Sequence, residues 1–170
     1  AVAYDMQGKY LEAISKIKLV ISLMDQVPNL SPDAFHTFKK NEIILHKNAG
    51  NVMLSKSSLA DAVKYGMKAL RINENLGNIF SQELYDAYKV LGDTYLALKN
   101  YSRSEFYYKR GIDLDASRCE IWGDYGLLLF EKRDYRNVEK YYNRCIECYS
   151  QKYESCKSQA LTDEFNCLTQ

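Results

Sequence analysis

The sequence predicts an all-α chain, an array of antiparallel helix pairs, and three observations carry that prediction. One unit is written twice, thirty-four residues apart: Gly92 maps onto Gly126, Tyr101 onto Tyr135, Glu105 onto Glu139, Tyr107 and Tyr108 onto Tyr141 and Tyr142, Arg110 onto Arg144, and Ile112 onto Ile146. Within the unit, Tyr88, Leu91 and Tyr95 recur at spacings of three and four, which puts them on one helical stripe. The 170 residues include only two prolines, so little in the chain interrupts a helix. A period of this size marks a repeat architecture, in which each unit buries its apolar face by stacking on its neighbours.

Taken in order, residues 1–30 read as a partial repeat: residues 1–9 end a first helix, Gly8 and Lys9 turn, and residues 10–24 form its partner, with Leu11, Ile14 and Ile21 at helical spacing. Tyr4, Tyr10 and Ala13 keep the spacing of Tyr95, Tyr101 and Ser104, so Ala1 falls inside a helix and the chain reads as a segment of a longer protein. Residues 31–76 are the next repeat. Ser31, Pro32 and Asp33 supply a cap, a ring whose missing N–H does no harm, and an acid near the positive end of the dipole. The helix they open runs through Phe35, Phe38, Ile44, Leu45, Ala49 and Val52 and breaks at Ser55 to Ser58. Ser58 and Asp61 resemble a capping box, and Ala62, Gly66 and Ala69 then line the close-packed face of a second helix.

Residues 77–117 and 118–151 are the two copies of the repeat. An extended connection over residues 73–81 leads into the first copy, and Lys99-Asn100-Tyr101 and Arg133-Asp134-Tyr135 are its matching turns. Glycine inside a helix costs roughly 1 kcal/mol against alanine, so Gly92 and Gly126 at equivalent sites point to a shortage of space beside the paired helix. Residues 152–170 read as a helix that caps the stack or begins a diverged repeat, with Lys152, Glu154, Lys157, Ser158 and Asp163 available for a polar outer face.

The first copy carries Tyr88-x-x-Leu91-Gly92-x-x-Tyr95 and then Ser104-x-x-x-Tyr108; the second carries Trp122-x-x-Tyr125-Gly126-x-x-Leu129 and then Val138-x-x-x-Tyr142. These residues resemble the tetratricopeptide repeat, with Ser104 and Val138 where alanine is usual and Ala116 and Ser150 in place of the closing proline. The resemblance implies a right-handed superhelical array, an α-solenoid, whose concave surface is lined by first helices and binds a peptide or protein segment. Carried over position by position, its groove residues are Lys47, Asn51 and Leu54, then Lys89, Asp93 and Leu96, then Glu120, Gly123, Leu127 and Glu131, a surface basic and polar early and acidic late. Lys47-x-x-Gly50-Asn51 looks like the opening of the clamp by which some members hold the C-terminal carboxylate of heat-shock chaperones. The later clamp positions hold Val90, Glu120 and Asp124, so a carboxylate would meet acids, and that partner is excluded. The longer early spacing is similar to the expanded repeats of kinesin light chains, G-protein adaptors and bacterial sensors.

Composition narrows the function further. Twenty-three Lys and Arg against 22 Asp and Glu leave a net charge of +1, with no nucleic-acid footprint and no basic membrane surface. No apolar run is long enough to span a bilayer. The 15 tyrosines read as core plugs with a polar tip. Five cysteines, an odd number scattered over the last third, do not form a disulfide framework and point to a reducing, cytoplasmic setting. Cys145, Cys148, Cys156 and Cys167 have the number and type of ligands for zinc, but Cys145-x-x-Cys148 falls inside a helix at packing positions, so no metal or cofactor is expected. His36 and His46 read as surface or rim residues with no nucleophile at a telling place, and no phosphate loop or hydrolase motif occurs, so the chain is not expected to be an enzyme. The reading is a protein–protein interaction scaffold of adaptor type, with the peptide-sensing region of a bacterial regulator as its alternative and self-association through exposed ends as a further property.

Overall fold

The computed structural model describes residues 31–55 and 57–168, with side chains as far as Ser155, and a few isolated positions before residue 24. The partial repeat expected over residues 1–30 therefore lies largely outside the described residues. Those residues form six helices and no strand: α1 Pro32–Ser55, α2 Leu59–Asn75, α3 Ser81–Ala97, α4 Tyr101–Leu114, α5 Cys119–Glu131 and α6 Tyr135–Leu168. They fall into two compact units, one ending at Leu114 and the other starting at Asp115.

In the first unit α1 pairs with α2 and α3 with α4, and α3 also packs against α1 and α2. The start of α1 follows from its sequence: the backbone N–H of Ala34 donates to Ser31 Oγ at 3.3 Å. The Ser58 hydroxyl instead donates to Asp61 Oδ2 at 2.9 Å, and no side chain caps the N-terminus of α2. Aspartate is too short to reach back to the cap N–H, so the expected box closes on itself. Ile43, Ala69 and Ala87 form one buried cluster, and Leu70, Leu84, Leu91, Tyr95 and Tyr107 another. Buried Asn73 fastens the connection that follows α2. Its amide donates to Phe80 O at 2.8 Å, and the Phe80 N–H donates to its Oδ1 at 3.3 Å.

Glycine permits the closest helix approaches. A Cβ on Gly66 would lie 2.8 Å from Leu91 Cδ2, and one on Gly92 would lie 2.5 Å from Tyr108 Cε1. The matching turns also share one geometry. Lys99 and Arg133 take positive φ of 56° and 62°, and the next residue in each case donates its N–H five positions back, Asn100 to Tyr95 O and Asp134 to Leu129 O. Those bonds satisfy carbonyls at the helix end.

In the second unit α5 packs against α6. Cys119, Ile121, Tyr125, Leu128 and Leu129 are buried, and Tyr141 meets Tyr125 edge-on at 4.6 Å. Gly126 is looser than Gly92, since a Cβ there would lie 3.3 Å from Tyr142 Cζ. α6 continues through Gln151 as one helix, because Ser150, Gln151 and Lys152 contain no residue that stops a helix.

Two expectations are corrected. Cys119 and Cys148 form a disulfide, with Cα atoms 5.3 Å apart. Cys119 opens α5 and Cys148 lies far along α6, and the antiparallel pairing brings those positions opposite each other. Cys148 is therefore a cross-link, not only a packing residue, while Cys145 is a free, half-buried thiol. His46 is buried and stacks on Tyr65, ring centroids 5.9 Å apart, because its place on α1 faces α2; it is no rim residue. His36 is exposed as expected.

Candidate protein-interaction surface

The first helices of successive pairs, α1 and α3, lie side by side and are linked by ion pairs. Lys40 Nζ lies 3.3 Å from Glu83 Oε1, and Lys47 Nζ lies 3.1 Å from Asp86 Oδ2. One turn further along α3, Lys89 Nζ lies 3.1 Å from Asp93 Oδ2, while Asp93 Oδ1 accepts the Tyr108 hydroxyl at 2.6 Å. Helical spacing presents these residues on one side, and the tyrosine fixes the Asp93 carboxylate from α4. Lys47 and Lys89 are thus held by acids. Their face carries paired charge where the sequence reading had an early basic surface.

Of the remaining residues taken from the resemblance, Asn51 is exposed on α1 and Leu96 is half-buried on α3. Glu120, Leu127 and Glu131 belong to α5 of the second unit. Glu120 lies 3.6 Å from the Arg118 guanidinium, Glu131 is exposed, and Leu127 is 43% exposed. The structure thus brings Lys47, Lys89 and Asp93 into one polar face of the first unit, with Asp86 as the member that sequence reasoning missed. Asp86 lies thirty-nine positions from Lys47. Only the side-by-side placement of α1 and α3 reveals the pair.

Tyrosines line the inside of the α3–α4 pair. Tyr95 and Tyr107 stack at 5.6 Å and 5°, and the Arg103 guanidinium sits over Tyr95. Burial pushes the Tyr107 phenol above its ordinary pKa, assisted by neighbouring Tyr95 and opposed by Arg103. Burial also raises Tyr88, against the pull of Arg110. These rings are core plugs, and their geometry offers no nucleophile with a base beside it.

Among the described residues no three His, Cys, Asp or Glu side chains are gathered as metal ligands, and no helix is long and apolar enough to cross a membrane. Residues 85–118 and 120–151 each match the family model of the tetratricopeptide repeat. The two matches fall on α3–α4 and on α5 with the first half of α6, the thirty-four-residue copies seen in the sequence. No curated protein matches the chain.

Proposed function

The chain belongs to the tetratricopeptide-repeat family, whose repeats generally mediate protein–protein interaction, and we propose that it is an adaptor scaffold that holds a peptide on the first-helix face of α1 and α3. What supports this reading is the Lys47–Asp86 link between the two first helices, with Lys89–Asp93 beside it. Four charged groups are held in place before any ligand arrives, so little side-chain entropy remains to be lost on binding. Such a face suits a peptide with both charge signs, which exchanges partners with each pair. The scaffold has no chemistry of its own.

The test is selection of peptides from a random library on the whole chain, followed by measurement of the winners on Lys47→Glu and Lys89→Glu variants. Loss of binding by folded variants supports the α1–α3 face. Undiminished binding by both moves the site elsewhere.

Self-association has its own support. Tyr135, Tyr142, Ile146, Tyr149 and Tyr153 recur along α6 at intervals of seven, four, three and four, a heptad seam. They are between 37% and 67% exposed. At roughly 200 Å² per side chain they leave about 550 Å² of surface, so two copies would bury about 1,100 Å², enough for a specific interface.

A further inference from the structure

The opposite side of α6 carries a different surface. Lys140, Arg144, Gln151 and Ser155 recur at four, seven and four, and so share one face of the helix. Two clefts open there, of about 500 Å³ and about 520 Å³, and both are lined by Trp122 and Arg144. Lys140, Tyr141, Asn143 and Glu147 complete the first, and Cys148, Lys152 and Ser155 are among those completing the second. Each volume is in the range that accepts side chains of a ligand.

The floor is aromatic and its position is fixed. Trp122 stacks on Tyr141 at 6.1 Å and 22°, and its indole N–H donates to Ala116 O at 2.9 Å. The Cys119–Cys148 disulfide ties α5 to α6 beside the second cleft. The rim is basic: Lys140 Nζ lies 5.6 Å from the Tyr141 ring centre, the Arg144 guanidinium lies 5.8 Å from that of Trp122, and Lys152 borders the second cleft. Two acids stand against these cations. Glu147 lies 3.4 Å from Arg144, and Asp115 is held by Ser117 and Arg118, its carboxyl kept below the ordinary range chiefly by the Ser117 hydroxyl. Three cations against one lining acid leave the trough positive in a chain that is nearly neutral.

We propose that this trough is a second docking site, for an acidic peptide segment that seats an apolar side chain against Trp122 and sets its carboxylates on Lys140, Arg144 and Lys152. Charge complementarity selects the acids, and the indole, the Tyr141 ring and the disulfide supply the apolar contact. A nucleic-acid strand suits it less well. Tyr141 stacks on the indole and Arg144 sits over it, which leaves an edge for an aliphatic side chain rather than an open face for base stacking. The site shares no residue with the α1–α3 face and stands whether or not that face binds a peptide.

Trp122 is the sole tryptophan of the chain, so its emission reports occupancy directly. The experiment titrates the whole chain with a synthetic peptide of alternating glutamate pairs and leucines, and separately with its lysine counterpart and with oligothymidylate. The expected result is a saturable change in Trp122 emission with the acidic peptide alone, weakened by salt. Lys140→Glu with Arg144→Glu should reduce affinity at least about tenfold while helical circular dichroism is retained, since both side chains are exposed. The Lys89→Glu variant should titrate as the parent does. An unchanged emission up to about 1 mM peptide, equal affinity in the charge-reversed variant, or tighter binding of oligothymidylate would each overturn the proposal.

Discussion

Tyr108 occupies the space that a side chain at Gly92 would need: a Cβ there would lie 2.5 Å from Cε1 and 2.6 Å from Cδ1 of the ring. Tyr108 is only 1% exposed, and its hydroxyl is held by Asp93 at 2.6 Å, so the ring has no easy retreat. Gly92→Ala should therefore destabilise the first unit by about 1–3 kcal/mol, despite the better helix propensity of alanine. At Gly126 the nearest ring atom is 3.3 Å away, and Tyr142 is 37% exposed and able to shift. Gly126→Ala should be close to neutral, because a helix-propensity gain of up to about 1 kcal/mol offsets a mild contact. Urea unfolding of the two variants checks the contrast, and equal losses would contradict the packing described for these two repeats.

The period of thirty-four made this pair of glycines legible, but the shortage of space that it suggested at both is severe at Gly92 and mild at Gly126. It also located the turns at Lys99 and Arg133, whose left-handed geometry repeats as the sequence does. The Lys47–Asp86 pair was not legible, because it joins positions far apart on helices whose lateral register depends on packing. The Cys119–Cys148 bridge left a usable signal that counting cysteines obscured. One cysteine begins the first helix of a pair and the other lies near the end of the second repeat segment, and an antiparallel hairpin sets those ends together. The Trp122 trough escaped for a different reason: the family pattern assigns that residue to packing, and its exposed edge depends on which neighbours cover it.

The disulfide yields a second prediction. It closes a loop with a sequence separation of 29, which constrains the unfolded chain enough to contribute about 3.5 kcal/mol. Reduction should lower the unfolding midpoint of the second unit and spare the first. Thiol titration in denaturant without reductant should count no more than three of the five cysteines. Five reactive thiols would show that the bridge is open in the isolated protein, and would favour a reducing compartment.

Alkaline pH should act through Tyr107. Burial raises its pKa above the ordinary 10.0, so the folded chain keeps the phenolic proton after the unfolded chain has lost it. Its contribution is fully present below about pH 10 and is lost as the pH rises through the folded value, at up to about 1.4 kcal/mol per pH unit. Tyr107→Phe removes the ionisation and leaves the ring. The expected outcome is a shallower fall in stability between about pH 9 and about pH 11 than in the parent chain, over a constant offset from the lost 3.3 Å contact with Met67 Sδ. Parallel profiles for the two proteins would mean that Tyr107 does not couple folding to pH.

The seam on α6 provides the last prediction. Ile146 is 62% exposed and central among four tyrosines on its face, so Ile146→Glu adds a charge without disturbing the core between α5 and α6. If two copies join along this stripe, the buried charge removes apolar contact and repels its mate near the two-fold axis, while each helix remains intact. Sedimentation of the parent chain should show a concentration-dependent dimer, and the variant should stay monomeric to at least about tenfold higher concentration. Lys140→Glu lies on the opposite side of the helix and should leave the dimer unchanged. A monomeric parent, or a variant that dimerises as readily as the parent, would remove self-association from the functional reading and leave the tyrosine stripe available to a different protein.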